Sequence, residues 1–212
     1  MRYAILQKGE SRSFPTGDPF LAGASEHAGV TIHLGSALIA DDSKAAVLIE
    51  LGSECLGVHA GEKAGEEGCN VLGFARYRNG CDAPSQLIEL VRQPNSRPQA
   101  IEAARAVFEA AGFTVVVCAD QAGRIIDRLV RPKYNAALRF LDEGLATAKD
   151  MDTTCRLGLG YPDGPIERVE RGGLVYHHDV TKALFDVYGT PGYAPARRAV
   201  VAKQRDDRGL QR

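Results

Sequence analysis

The apolar residues of this chain follow two different periods, and the switch between them falls near residue 119. Before it, short runs rich in Val, Ile, Leu and aromatics (YAILQ, VTIHL, ALIA, AVLIEL, VLGFARY and TVVVCA) are bounded by Gly, Asp or Asn, a pattern that predicts strands. Two helices are expected ahead of the last run. PSQLIELVRQ, residues 84–93, sets Leu87 and Val91 four apart with Ile88 beside them. SRPQAIEAARAVFEAAG carries Ile101, Ala104, Phe108 and Ala111 on one stripe, with Ser96 as cap, Pro98 in the first turn and Gly112 as the stop. A helix that leads into a buried apolar strand marks an α/β layer with parallel pairing.

From Asp120 onward the spacing is helical throughout. GRIIDRLVRPKYNAALRFLDEGLA sets Ile125, Leu129, Ala136, Phe140 and Leu141 at helical spacing, and Pro132 marks a kink or a boundary. Thr147, with Asp150 three residues later, caps the next helix. Pro165 opens a short one, IERVER; GLVYHHDVTKALFDVYG stops at Gly189; and ARRAVVAKQR is the last. Five helices in this span make a bundle. Within it, LGLGYPDGPIE has Gly158, Gly160 and Gly164, one residue too long for G-x-G-x-x-G, and it follows a helix instead of a strand. It reads as a helix stop and restart, with Gly158 or Gly160 in the left-handed position.

Composition narrows the partners. Lys plus Arg is 26 against 27 for Asp plus Glu, a net charge of −1, so no overall footprint for nucleic acid is present, while a small anionic ligand remains compatible. No stretch has the length of a membrane span, and a soluble, cytoplasmic protein is expected. The five cysteines are scattered and never form C-x-x-C, which argues against a disulfide framework and a zinc knuckle; Cys118 is expected to be a buried, inert strand thiol. His27, His33, His59, His177 and His178 form no metal-binding spacing, so no metal is expected. The glycine-rich GEKAGEEG, residues 61–68, reads as a loop that is acidic on balance.

Several blocks between Val71 and Ala196 resemble the 3-hydroxyacyl-CoA dehydrogenases. LIELVRQPNSRPQAIEAARAVFEAAGFTVVVCAD is similar to the segment around that family's catalytic glutamate, and AGRIIDRLVRPKYNAALRFLDEGLATAKDMDTTCRLGLGYPDGPIE to its P-G-F-I-x-N-R, N-E-A and L-G-x-G-x-P-x-G-P blocks. GTPGYAP resembles the later G-D-x-R-Y-x-P. The resemblance implies an α/β part with an incomplete Rossmann-like sheet over residues 1–119, then an all-α dimerisation domain over 120–212. A helical module of this size often buries part of its apolar face against a second copy, so a homodimer is expected, held by apolar helix faces that include the stretch around Leu184, Phe185 and Val187.

Family members use NAD to oxidise a 3-hydroxyacyl-CoA: a histidine takes the hydroxyl proton, a glutamate orients it, and a serine and an asparagine position the substrate. Carried over by resemblance, the glutamate falls on Glu89 and the asparagine on Asp127. The histidine's place falls on Ala75, or on Tyr77 if the length difference before Glu89 is placed earlier; neither is a neutral-pH base. The family serine has no counterpart, and YAILQKGESRSFPTG offers one early glycine where the NAD fingerprint belongs. Glu89 also reads as a solvated charge on a helix. The resemblance therefore implies a degenerate unit of acyl-CoA and fatty acid metabolism, with no cofactor and acyl-CoA as a ligand. The alternatives are an active NAD-dependent enzyme in which His33 or His59 replaces the base, and a structural remnant without ligand.

Overall fold

Six strands form where β-branched and aromatic residues run between turn formers: β1 (Tyr3–Gln7), β2 (Val30–Leu34), β3 (Ala46–Glu50), β4 (Val71–Arg76), β5 (Leu87–Arg92) and β6 (Thr114–Ala119). The computed structural model describes residues 2–62 and 69–210, so most of GEKAGEEG lies outside the described residues. Two units are present, one of residues 1–78 with 83–124 and one of residues 79–82 with 125–212.

In the first unit the six strands make one sheet in chain order, β1 to β6, parallel at every step except the antiparallel β4–β5 pair. Ile32, Leu48, Phe74, Ile88 and Leu90 face α3 (Pro98–Ala110) and close around Phe14, Phe20 and Phe108. Val47, Ile49, Val71 and Val91 face the other way, over Leu56 just ahead of the short α2 (Gly57–Ala60). Burial on both faces explains why the strands read as continuous apolar runs.

Three local expectations are corrected here. PSQLIELVRQ is a strand: residues i and i+4 share a face in a strand as well as in a helix, so Leu87 and Val91 fit both, and pairing with β4 and β6 decides. ALIA, residues 37–40, is irregular, and only its Leu38 packs against the core. Ser96 does not cap α3; its hydroxyl accepts from the Gln93 N–H at 3.1 Å, Arg97 takes the cap position without a side-chain bond, and Pro98 opens the helix. Of the expected α3 stripe, Ala104 and Phe108 are buried, whereas Ala111 is exposed at the end.

The second unit contains α4 (Ile125–Asp142), α5 (Ala148–Leu159), α6 (Pro165–Gly172), α7 (Leu174–Tyr188) and α8 (Arg197–Asp207). Pro132 lies inside α4 and does not end it. A proline cannot bond the carbonyl four residues back. That carbonyl, on Arg128, accepts instead from the Tyr193 hydroxyl at 3.2 Å, so the GTPGYAP turn repairs the gap. Most of the expected stripe of α4 faces outward: Ile125, Leu129 and Phe140 are exposed and Ala136 is half-buried, while Leu141 packs against the core and Asp127, Arg131, Tyr134, Asn135 and Leu138 are buried. The hydrophobic pattern misleads because the buried Asp127, Arg131 and Asn135 share the inner face with Tyr134, Ala137 and Leu138 and are satisfied by pairing. Leu184 is likewise buried within the unit, beside Val180 and Tyr193, Phe185 is half-buried against them, and Val187 is exposed.

The LGLGYPDGPIE turn behaves as its residues dictate. Thr147 accepts from the Asp150 N–H at 3.2 Å to start α5, Gly160 (φ 68°) ends it, and Pro165 starts α6. Gly164 has no side chain with which to cap α6, and the buried Asp152 of α5 does so instead, accepting from Ile166 N–H at 2.8 Å and Glu167 N–H at 3.1 Å. Glycine is required there, since a Cβ on Gly164 would lie 2.1 Å from Asp152. Asp152→Ala is expected to cost about 1–2 kcal/mol, read as a lower urea midpoint. Asp152→Asn, which keeps one acceptor, should recover part of it.

Candidate functional site

In the first unit the antiparallel register sets Ala75 of β4 directly opposite Glu89 of β5. Directly opposed residues project from the same face with Cβ atoms about 5 Å apart. The expectation of Glu89 as a solvated helix charge is therefore corrected: it is a strand residue, 2% exposed, on the same sheet face as Val91 and Cys118. Cys118 is half-buried in place of fully buried, and burial, with Glu89 as the next cause, raises its thiol above the ordinary range. A raised thiol is a poor nucleophile at neutral pH.

Neither histidine offered as a replacement base stands beside Glu89 in the strand ladder. His33 lies on β2, three strands from β5, which at about 4.8 Å per step is roughly 14 Å. It is 1% exposed, and burial lowers its pKa, partly opposed by hydrogen bonds to the backbone of Ile39 and Ala37. His59 is on α2, tied to Glu54 at 3.1 Å. Among the described residues no group of three His, Cys, Asp or Glu could hold a metal ion.

The residues after β1 do not resemble a pyrophosphate cradle. Gly9, the early glycine, is packed against the turn after β2: a Cβ on it would lie 3.2 Å from the Gly35 carbonyl, and one on Gly35 would lie 2.9 Å from Gly9 Cα. Each glycine makes room for the other's backbone.

In the second unit Asp127 occupies the first turn of α4, and its Oδ1 meets Arg131 Nε at 2.8 Å and a terminal guanidinium nitrogen at 2.7 Å. Arg131, itself 2% exposed, also lies 3.3 Å from His177 Nδ1. A guanidinium only donates, so Nδ1 accepts and the ring proton sits on Nε2, which donates to Asn135 Oδ1 at 2.9 Å. The Asn135 amide then donates to Thr181 at 2.8 Å and to the Gly192 carbonyl at 2.9 Å, and Thr181 donates to the Tyr193 carbonyl at 2.8 Å. Burial first, then the charge of Arg131, holds His177 down to about 3, so it is neutral and fixed in one tautomer.

Sequence reasoning named Asp127 and missed Arg131, Asn135, His177 and Thr181. A signal was available: Asp127, Arg131 and Asn135 are spaced i, i+4, i+8, and His177 with Thr181 i, i+4, which align on facing helix stripes. Asp127 is not a free negative charge beside a reacting oxygen, since Arg131 neutralises it.

A mixed sheet followed by a five-helix unit defines an α/β protein with a separate helical C-terminal part. Residues 123–209 match the 3-hydroxyacyl-CoA dehydrogenase, C-terminal domain. The human mitochondrial hydroxyacyl-coenzyme A dehydrogenase is 35% identical over 101 residues, 48% of this chain and 31% of the enzyme. A Mycobacterium tuberculosis 3-hydroxybutyryl-CoA dehydrogenase is 31% identical over 84 residues, 40% of this chain and 29% of the enzyme. The chain thus matches about a third of its curated relatives' length. The fold is shared with (S)-3-hydroxybutyryl-CoA dehydrogenase from Ralstonia eutropha, at a TM-score of 0.66, 19% identity and coverage of 85% of this chain and 66% of that one.

Proposed function

We propose that this chain is a 3-hydroxyacyl-CoA dehydrogenase-like protein that retains an acyl-CoA-facing helical module and has lost NAD-dependent hydride transfer, acting as a binding or assembly partner in acyl-CoA metabolism. The observation that carries this reading is the Ala75–Glu89 register: the glutamate of the family pair is present and buried, and its strand partner is a methyl group. Absence of a positioned general base costs roughly 10²- to 10⁴-fold.

The sheet supports the same reading for the cofactor. Dinucleotides bind where strand order reverses, beside a crevice opened by divergent connections. Here β1 to β4 run in chain order without reversal, and Gly9 is consumed by Gly35, so the described residues do not fit NAD. A homodimer is part of the proposal, and the exposed stripe of α4 with Ile125, Leu129 and Phe140 is the face that supports it.

Calorimetric titration and a turnover assay test it. Acetoacetyl-CoA is expected to bind, NADH not to bind at micromolar concentration, and neither wild type nor Ala75→His/Asp127→Asn to turn over 3-hydroxybutyryl-CoA. Wild-type turnover near about 1 s⁻¹, the low end of enzyme values, abolished by Glu89→Gln, would instead establish an active enzyme with a rearranged site.

A further inference from the structure

β6 closes one edge of the sheet, with β5 its one strand neighbour among the described residues. Thr114 N–H donates to the Gln86 carbonyl at 2.9 Å and Asp120 N–H to the Arg92 carbonyl at 2.8 Å. In a parallel ladder alternate residues face the partner, so the even-numbered residues of β6 serve β5. The N–H and C=O groups of Val115, Val117 and Ala119 therefore point away from the sheet. Edge strands are ordinarily blunted by charge, proline or a bulge. TVVVCA has no charge and no proline, its register with β5 is unbroken, and Thr114, Val116 and Ala119 are exposed.

We propose that this edge is an interaction surface for a second copy of the chain, joined β6 to β6 antiparallel about a twofold axis at Val117. A second copy fits for a geometric reason. The axis sets Val117 against Val117 and Val115 against Ala119, so every outward donor meets an outward acceptor, about six hydrogen bonds in all. A shift of one residue on one strand would oppose outward to inward groups and remove them. No charged side chain lies within the strand to repel its twin. On the α3 side the half-buried Val115 and Val117 continue one apolar layer across the axis. A six-residue edge buries less than the roughly 1,200 Å² of a standard interface, so the association is concentration-dependent.

Val117→Pro tests this with little collateral change, because it deletes an outward N–H and leaves the β5–β6 ladder intact. Light scattering across a dilution series is expected to show wild-type mass rising with concentration and the variant held at half the wild-type plateau. Hydrogen exchange is expected to be at least tenfold slower at the amides of residues 115 and 119 in concentrated wild type than after dilution. Leu129→Asp, on α4, separates this contact from the proposed helical one: loss of mass in Leu129→Asp alone sinks the edge, and loss in Val117→Pro alone supports it. Equal plateaus for wild type and Val117→Pro, or exchange that ignores dilution, overturns the proposal.

Discussion

Asp127→Ala is expected to destabilise the helical unit by roughly 3–5 kcal/mol, the cost of leaving one member of a buried ion pair without its partner. Arg131 is 2% exposed, and Asp127 is the counter-ion the structure gives it. Without Asp127 the guanidinium keeps the neutral imidazole of His177 and the Tyr176 ring, but loses the carboxylate that balances its charge. Arg131→Met should cost less, because it removes the charge and leaves the more exposed carboxylate at the helix N-terminus, where the dipole favours it. Urea unfolding followed by helical circular dichroism measures both. A loss below about 1 kcal/mol in Asp127→Ala, the value of an exposed pair, would show the network to be dispensable. The same coupling bears on Asp127→Asn, which introduces an amide and takes away the charge that faces Arg131.

The second large effect is a pH dependence set by His177. Its folded pKa is pushed from 6.5 down to about 3 by burial and by Arg131, with the neighbouring His178 adding a smaller contribution. The unfolded chain therefore takes up this proton more readily than the folded one. Stability from this site is complete above about pH 6.5 and is lost as the pH falls toward about 3, at up to roughly 1.4 kcal/mol per pH unit. His177→Gln can accept from Arg131 or donate to Asn135 without titrating, so its stability between pH 7 and 4 should fall less steeply, by about one proton. Equal slopes for wild type and His177→Gln would refute the assignment. Because Arg131, Asn135 and Thr181 all meet on one chain of bonds, their single-substitution effects should not add.

Much of the architecture is legible in the chain itself. Five of the six strand-like runs are strands, because β-branched residues between turn formers leave few other options. Thr147 and Gly160 bound α5, Pro165 opens α6 and Gly189 ends α7 as the sequence predicts, because caps, left-handed glycines and helix-opening prolines act within one turn of backbone. The match of residues 123–209 to the 3-hydroxyacyl-CoA dehydrogenase C-terminal domain was legible for the same reason: its motifs are short and local. Tertiary structure alone decided the rest. PSQLIELVRQ became a strand through hydrogen bonds to β4 and β6, which no periodicity of its own encodes. Only that pairing set Ala75 opposite Glu89 and buried a carboxylate that looked solvated. Only the packing of α4 against α7 and the Pro191–Tyr193 turn put Asp127, Arg131 and Asn135 inside, leaving Ile125, Leu129 and Phe140 exposed. A charged or amide group is buried only when a distant partner satisfies it, and partners 46 or 57 residues away, as Thr181 and Gly192 are from Asn135, come together by folding and not by sequence spacing.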